Sequence, residues 1–200
     1  MIRTVFLDMG NVLVLFSHEQ MCAQIAALFD REIAVVRQAL FESGLQHAFE
    51  AGRVSETEMR HRLESALGCA VDAGELRQAA SDIFELNTAI LPLLDQLKQN
   101  GARLVLVSNT STIHFEFIRN RFDLLDRFDA FVLSFQVGAL KPHPAMFRSA
   151  LDRADCDPAD GFFTDDLLEN VEQARRMGLA AEVFTSPSEF EQQMRSRGLL

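Results

Sequence analysis

From about residue 90 to the end of the chain, short apolar runs alternate with stretches of helical character. That alternation confines the sequence to a narrow set of folds. The runs are Arg103-Leu104-Val105-Leu106-Val107, Ala130-Phe131-Val132-Leu133, Gly161-Phe162-Phe163-Thr164 and Ala181-Glu182-Val183-Phe184. Between them lie helical stretches over about 112–122, 145–153 and 169–177. Strands linked through helices pair in parallel, and a parallel sheet must be covered by helices on both faces. Pro92 suits a first helical turn, and Asn100-Gly101 ends that helix just before the run at 103. A fourth capping pattern, Ser186-Pro187-Ser188-Glu189, opens a C-terminal helix.

The N-terminal part is different. Thr4-Val5-Phe6-Leu7 reads as a strand that ends in Asp8, and the apolar run Val12–Phe16 follows. Ser17-His18-Glu19-Gln20 then has capping-box form, with Phe16 and Met21 as a hydrophobic staple, so a helix starts at His18 with Met21, Ile25 and Leu28 on its inner face. A second helical run covers about 33–41, breaks at Ser43-Gly44, and short helical structure continues through Phe49. Ser55-Glu56-Thr57-Glu58, stapled by Val54 and Met59, opens a helix that Gly68 stops, and Asp72-Ala73-Gly74-Glu75 repeats the device. Residues 17–86 thus read as helices without a strand. The expected fold class is α/β, a doubly wound parallel sheet with an all-helical insertion after its first strand. The expected division is a core of 1–16 and 87–200 and a helical unit of 17–86.

Two hundred residues allow one domain, or one plus a substantial insertion. At 48% hydrophobic and 24% charged residues, with no apolar run long enough to span a bilayer, a membrane partner is not expected. The N-terminus enters the first strand directly, without a signal-peptide pattern, so a cytoplasmic protein is expected. A formal charge of −10 with no offsetting Lys/Arg cluster argues against nucleic acid and favours a small substrate. Cys22, Cys69 and Cys156 lack Cys-x-x-Cys spacing and read as reduced and buried. All aromatic residues are phenylalanine, which marks core and not a base-stacking platform.

Four strand ends or adjoining loops carry polar groups: Asp8, Ser108-Asn109-Thr110, Lys141 and Asp165-Asp166. Each alone has a plain structural reading. Asp8-Met9-Gly10-Asn11 suits a hairpin turn, Ser108 a cap, Lys141 a surface lysine, and Asp165-Asp166 the cap of the next helix. In a parallel sheet, however, all four face the same carboxyl edge, where such sheets bind ligands. Three carboxylates beside one lysine cannot all ionise cheaply, and a hard divalent cation resolves this. Oxygen donors without Cys or paired His suit Mg²⁺ better than zinc, and the Gly10 carbonyl is a further candidate ligand. The Ser108 hydroxyl, the amide after it and Lys141 are then placed to hold a phosphoryl group while Asp8 attacks in line.

The ordered set Phe6-Leu7-Asp8-Met9-Gly10-Asn11-Val12-Leu13, Val107-Ser108-Asn109-Thr110, Lys141-Pro142 and Phe163-Thr164-Asp165-Asp166 with Glu169-Asn170 resembles the haloacid dehalogenase-like hydrolase superfamily. The resemblance covers nearly the whole chain. It implies a Rossmann-like core with a helical cap inserted after the first motif. It also implies roles: Asp8 as nucleophile, Ser108 and Asn109 as phosphate ligands, Lys141 as charge stabiliser, and Asp166 with Asp165 as metal-binding acids. The Gly-Asn form of the first motif is similar to a subgroup that includes sugar-1-phosphate phosphatases.

One departure bears on mechanism. Phosphatases of this superfamily usually carry a second Asp two residues after the nucleophile as general acid and base, and here that residue is Gly10, which cannot move a proton. His18, where the helical unit begins, is a candidate replacement. His143 stands where an acidic residue often lies between the two prolines, and it reads as a helix-start residue. His47 and His61 read as solvent-facing and His114 as structural. The expected function is an Mg²⁺-dependent phosphatase of small phosphorylated metabolites working through an aspartyl-phosphate. The alternatives are a metal-independent 2-haloacid dehalogenase and a non-catalytic phosphate- or partner-binding protein of the same fold.

Overall fold

The computed structural model describes residues 2–200 and places β1 (Thr4–Leu7) at the centre of a five-stranded, all-parallel sheet. The strand order is β5 (Ala130–Leu133), β4 (Arg103–Ser108), β1, β6 (Gly161–Asp165), β7 (Ala180–Val183). Leu7 sits level with Leu106 on one side and Thr164 on the other, so Asp8, Ser108 and Asp165 all emerge at one edge. After β1 the chain lays down β4 and β5 on one side, then returns to lay β6 and β7 on the other. Asp8 therefore stands at the topological switch point, where open α/β sheets leave a crevice.

Strand residues alternate between two helical layers, as the period of two requires. Val5, Leu7, Leu104 and Leu106 pack with Leu94 and Leu97 of α6 (Leu91–Gln99) and with Phe190 and Met194 of α11 (Pro187–Ser196). Phe6, Val105, Val107 and Phe163 face the other way. They pack with Met146, Phe147 and Ala150 of α9 (Pro144–Ala154) and with Val171 and Ala174 of α10 (Leu168–Arg176). Burying both faces accounts for strands that read as continuous apolar runs.

The helices of the N-terminal part are α1 (His18–Phe29), α2 (Ile33–Arg37), α3 (Leu45–Glu50), α4 (Glu56–Leu67) and α5 (Ala73–Ser81). They share a buried cluster of their own that includes Met21, Ile25, Phe29, Leu40, Leu63 and Leu76. The capping patterns are realised: Ser17 accepts from the Gln20 amide, Ser55 from Glu58, Asp72 from Gly74 and Glu75, and Ser186 from Glu189. Each such cap contributes on the order of 1 kcal/mol. After α2 the helix continues as a π turn over Gln38–Glu42.

The reading of 17–86 as strand-free is corrected. Phe84–Leu86 forms β3, which pairs antiparallel with β2 (Val14–Phe16), so a two-stranded ribbon connects the helices to the core. Cys22 is buried as expected, whereas Cys69 and Cys156 are only half-buried; all three are free thiols. Among the described residues, no helix is long and apolar enough to cross a membrane.

The helical block docks on the core through specific polar contacts and through Ile113, which joins its apolar cluster. Arg77 pairs with Glu116 of α7 (Thr112–Arg121), and His114 lies 3.0 Å from the Ala80 carbonyl. Ser134, which opens the short α8 (Ser134–Val137), has its hydroxyl 2.6 Å from the Glu50 carbonyl. Gly52 has φ +67°, and a Cβ there would fall 2.2 Å from the Phe135 carbonyl oxygen. Only glycine lets the chain leave α3 so close to the core backbone.

Candidate active site

Asp8 follows directly on β1, with its amide bonded to the Thr164 carbonyl at 3.1 Å. Its Oδ1 accepts from the Met9 amide at 2.7 Å and lies 2.7 Å from Lys141 Nζ. The other side of that ammonium meets Asp165 Oδ2 at 2.6 Å. Lys141, far from a surface lysine, has a side chain only 1% exposed. It reaches the site from the loop before α9, where the Lys141–Pro142 bond is cis. Asn109 holds that loop: its Oδ1 accepts from the Lys141 amide at 2.7 Å and its Nδ2 donates to the Lys141 carbonyl at 3.1 Å. The side chain of Asn109 is thus engaged in positioning Lys141, while Ser108 Oγ makes only a 3.4 Å contact with the Asn109 carbonyl.

The two acids after β6 differ in their surroundings. Asp165 is wholly buried: Oδ1 accepts from the Leu167 amide at 2.9 Å and Asn170 Nδ2 at 2.8 Å, and Oδ2 faces Lys141. Asp166 is half-buried, and its Oδ2 accepts from Asn11 Nδ2 at 3.0 Å. Asp8, Asp165 and Asp166 each present an oxygen such that all three lie within 4.8 Å of one another. Asn11 reaches across because its backbone adopts φ +54°, a conformation that asparagine tolerates better than most residues.

Burial pushes the Asp8 carboxyl up to about 7; Lys141 opposes this and the Asp165 charge adds to it. Lys141 is also penalised by burial, yet Asp8 and then Asp165 raise it above an ordinary lysine, so it stays charged. One buried ammonium, paired with Asp8 and Asp165, leaves the cluster of three carboxylates short of positive charge. A hard cation fits this oxygen-only donor set, and it would favour the ionised form of Asp8.

Gly10 is flanked by an aromatic wall. A Cβ built there would fall 2.7 Å from Phe16 Cε1. The His18 ring stands 4.9 Å from Phe16 and 4.9 Å from Phe41, and burial, then Arg37, lowers its pKa. His143 caps α9 through Nδ1, which accepts from the Ala145 amide, as its sequence position suggests. His47 and His61 are exposed, and His114 is buried.

The structure therefore brings Asp8, Ser108, Asn109, Lys141, Asp165, Asp166 and Gly10 to one edge. Asn11, Asn170 and Ser134 escaped sequence reasoning as members of the same network. Asn11 and Asn170 lie inside quoted motifs, so an asparagine at a positive-φ turn and one at a helix start were the signals available. Ser134, whose hydroxyl accepts the Thr110 amide at 2.9 Å, left none.

The family model described as haloacid dehalogenase-like hydrolase matches residues 2–178. The chain belongs to this family. It is 29% identical over 198 residues to drimenol cyclase drtB of Aspergillus calidoustus, covering 97% of this chain but only 36% of that protein. It is 25% identical over 186 residues to a D-ribitol-5-phosphate phosphatase of Bacteroides thetaiotaomicron, with 89% of each covered. Among solved structures, it superposes on the HAD family enzyme bt-2542 of Bacteroides thetaiotaomicron with a TM-score of 0.86 at 22% identity, covering 96% of this chain and 98% of that one. A second structure of that enzyme, in complex with magnesium and inorganic phosphate, gives a TM-score of 0.82 at 23% identity, with 92% and 95% covered. These structures share the fold, and the family assignment rests on the sequence match.

Proposed function

We propose that this chain is an Mg²⁺-dependent phosphatase of small phosphorylated metabolites, with Asp8 as the nucleophile and residues 17–86 as its cap. The observation that carries the reading is the buried Asp8 carboxylate at the switch point, 2.7 Å from a lysine that also pairs with Asp165. The phosphatase named among its relatives and the magnesium and phosphate complex of a structural neighbour support it.

Asp8, Asp166 and the Gly10 carbonyl would hold the ion, with Asp165 contributing mainly by fixing Lys141. When bound, Mg²⁺ supplies positive charge that offsets the charge of the phosphoryl oxygens and the carboxylates. The remaining work falls to the chain. Asp8 Oδ attacks phosphorus and expels the leaving oxygen, forming an aspartyl-phosphate that water then hydrolyses. Lys141, fixed by Asn109 and Asp165, neutralises charge on the transferring group without having to reorganise. The Ser108 hydroxyl and the amide of Asn109 orient that group. The helical block excludes water and selects the rest of the substrate.

Without a carboxylic acid at position 10, substrates whose leaving oxygen carries negative charge well are favoured, which points to sugar 1-phosphates over sugar 6-phosphates. A panel of phosphate esters with and without Mg²⁺, run beside a 2-haloacid, tests the reading. Mg²⁺-dependent phosphate release with no halide release is expected. Halide release that persists in chelator would establish the dehalogenase instead.

A further inference from the structure

In an in-line displacement the leaving oxygen stands opposite the attacking one. Asp8 lies at the sheet edge, so a leaving group expelled by it projects away from the sheet. The ribbon rises from the same place. The chain runs from the nucleophile straight into β2: the Val14 amide donates to the Met9 carbonyl at 3.0 Å, and the Asn11 amide to the Val14 carbonyl at 2.7 Å. Phe16 ends β2 with a half-buried ring whose Cε1 lies 2.7 Å from where a Cβ on Gly10 would fall. Hydrocarbon therefore takes the space that a side chain two residues after the nucleophile would fill.

That ring is held in place. Phe16 pairs across the ribbon with Phe84, ring centroids 6.0 Å apart, and Phe84 in turn meets the rings of His114 at 5.2 Å and Phe117 at 6.2 Å on α7. Yet no ring among the described residues lies flat on Phe16, since His18 and Phe84 cross it at 63° and 49°. Beyond Asp166 at the same sheet edge, Leu167 and Leu168 are among the most exposed large apolar side chains. The surroundings of the nucleophile are thus apolar on the ribbon side and at this rim.

We propose that Phe16 is the specificity-determining wall of the leaving-group site, and that the substrate carries its phosphate directly on a ring carbon, with the flat face of that ring against the phenyl group. The inference rests on the phosphatase reading above. It agrees with the preference drawn from Gly10. A pyranosyl 1-phosphate offers a face of C–H groups and an aryl phosphate a π face, and each expels an oxygen that carries negative charge well. A sugar 6-phosphate fails on both counts, because a methylene sets its ring apart from an ordinary alcohol oxygen. Phenylalanine has no polar handle, so this contact selects a flat apolar face and not a pattern of hydroxyl groups.

The test is kcat/KM in Mg²⁺ for glucose 1-phosphate and for phenyl phosphate, each measured beside an acyclic fluoroalkyl phosphate whose alcohol has comparable acidity. Matching acidity cancels the leaving-group effect, so the ratio within a pair reads contact with the ring. Wild type should favour at least one ring ester over its partner by about 3- to 10-fold, the range of an aromatic contact. Phe16→Leu and Phe16→Met, with thermal midpoints compared to wild type, should bring that ratio to about one. Preference for the glucose ester alone assigns the site to a sugar, and for the phenyl ester alone to an aryl group. Were Phe16 only a support for the ribbon, both members of a pair would lose equally and the ratio would hold. A ratio near one in wild type for both pairs, or an unchanged ratio in a folded variant, overturns the proposal and leaves the phosphatase reading standing. Absence of phosphate release from all of these esters in the wild type would overturn that reading itself.

Discussion

Replacing Lys141 by methionine removes the cation that Asp8 and Asp165 share while nearly preserving side-chain length. The Lys141 side chain is 1% exposed, and its partners are 12% and 0% exposed, so neither carboxylate can turn to water instead. Breaking a buried pair in this way typically costs about 3–5 kcal/mol, because an uncompensated charge is left behind. At about 2–4 °C per kcal/mol for a chain of this size, Lys141→Met should melt roughly 6–20 °C below wild type at pH 7. The pH dependence gives the sign. Asp8 is raised above its unfolded value even with lysine present, and removing lysine raises it further. A carboxyl with a raised folded pKa gives up stability as pH rises from the unfolded value through the folded one. The gap between variant and wild type should therefore be small near pH 4 and widen toward pH 7. Urea unfolding at several pH values, with and without Mg²⁺, measures it, and Mg²⁺ should close part of the gap by supplying the missing charge. A variant as stable as wild type at pH 7 would refute the view that Lys141 is the counter-ion of this cluster.

The buried His114 should titrate in the opposite sense: burial lowers its pKa to about 4, so the unfolded chain binds a proton first as pH falls below 6.5. Wild type should lose up to about 3 kcal/mol between pH 6.5 and 4, and Gln at 114, which can still donate to the Ala80 carbonyl, should flatten that limb of the urea-midpoint profile. Gly10→Asp should cost about 1–3 kcal/mol from overpacking against Phe16, and the Phe16→Leu background should relieve it; in that background the dependence of turnover on leaving-group pKa should become shallower. Asn11→Gly keeps the positive-φ turn but removes the amide that holds Asp166. It should weaken Mg²⁺ binding about 10–100-fold by titration calorimetry, whereas unchanged affinity would mean that Asp166 needs no support.

The sheet and its ligand edge were legible because both rest on local signals. Buried parallel strands read as apolar runs, and each polar group at a strand end is visible beside its own strand. The helix starts at His18, Glu56 and Ala73 were equally plain, since a cap and its staple lie within six residues. The ribbon was missed because Phe84-Glu85-Leu86 is three residues long and pairs with Val14–Phe16, some seventy positions away, where no local pattern records the partner. The same limit hid the working of the site. Asn109 and Lys141 meet across 32 residues, and only coordinates show the asparagine side chain spent on the Lys141 peptide rather than left free. Asp165 and Asp166 are chemically identical neighbours, yet strand alternation sends one inward to Lys141 and Asn170 and the other to the half-exposed rim.

The most direct test of the account is to trap the covalent intermediate. Wild-type protein turning over a phosphate ester in Mg²⁺ is quenched in acid, reduced with borohydride and digested. Mass spectrometry should then find homoserine in place of aspartate at position 8, and nowhere in Asp8→Asn, which should be folded and inactive. Wild-type-like turnover in folded Asp8→Asn, or an acyl-phosphate at a different carboxylate, would contradict it.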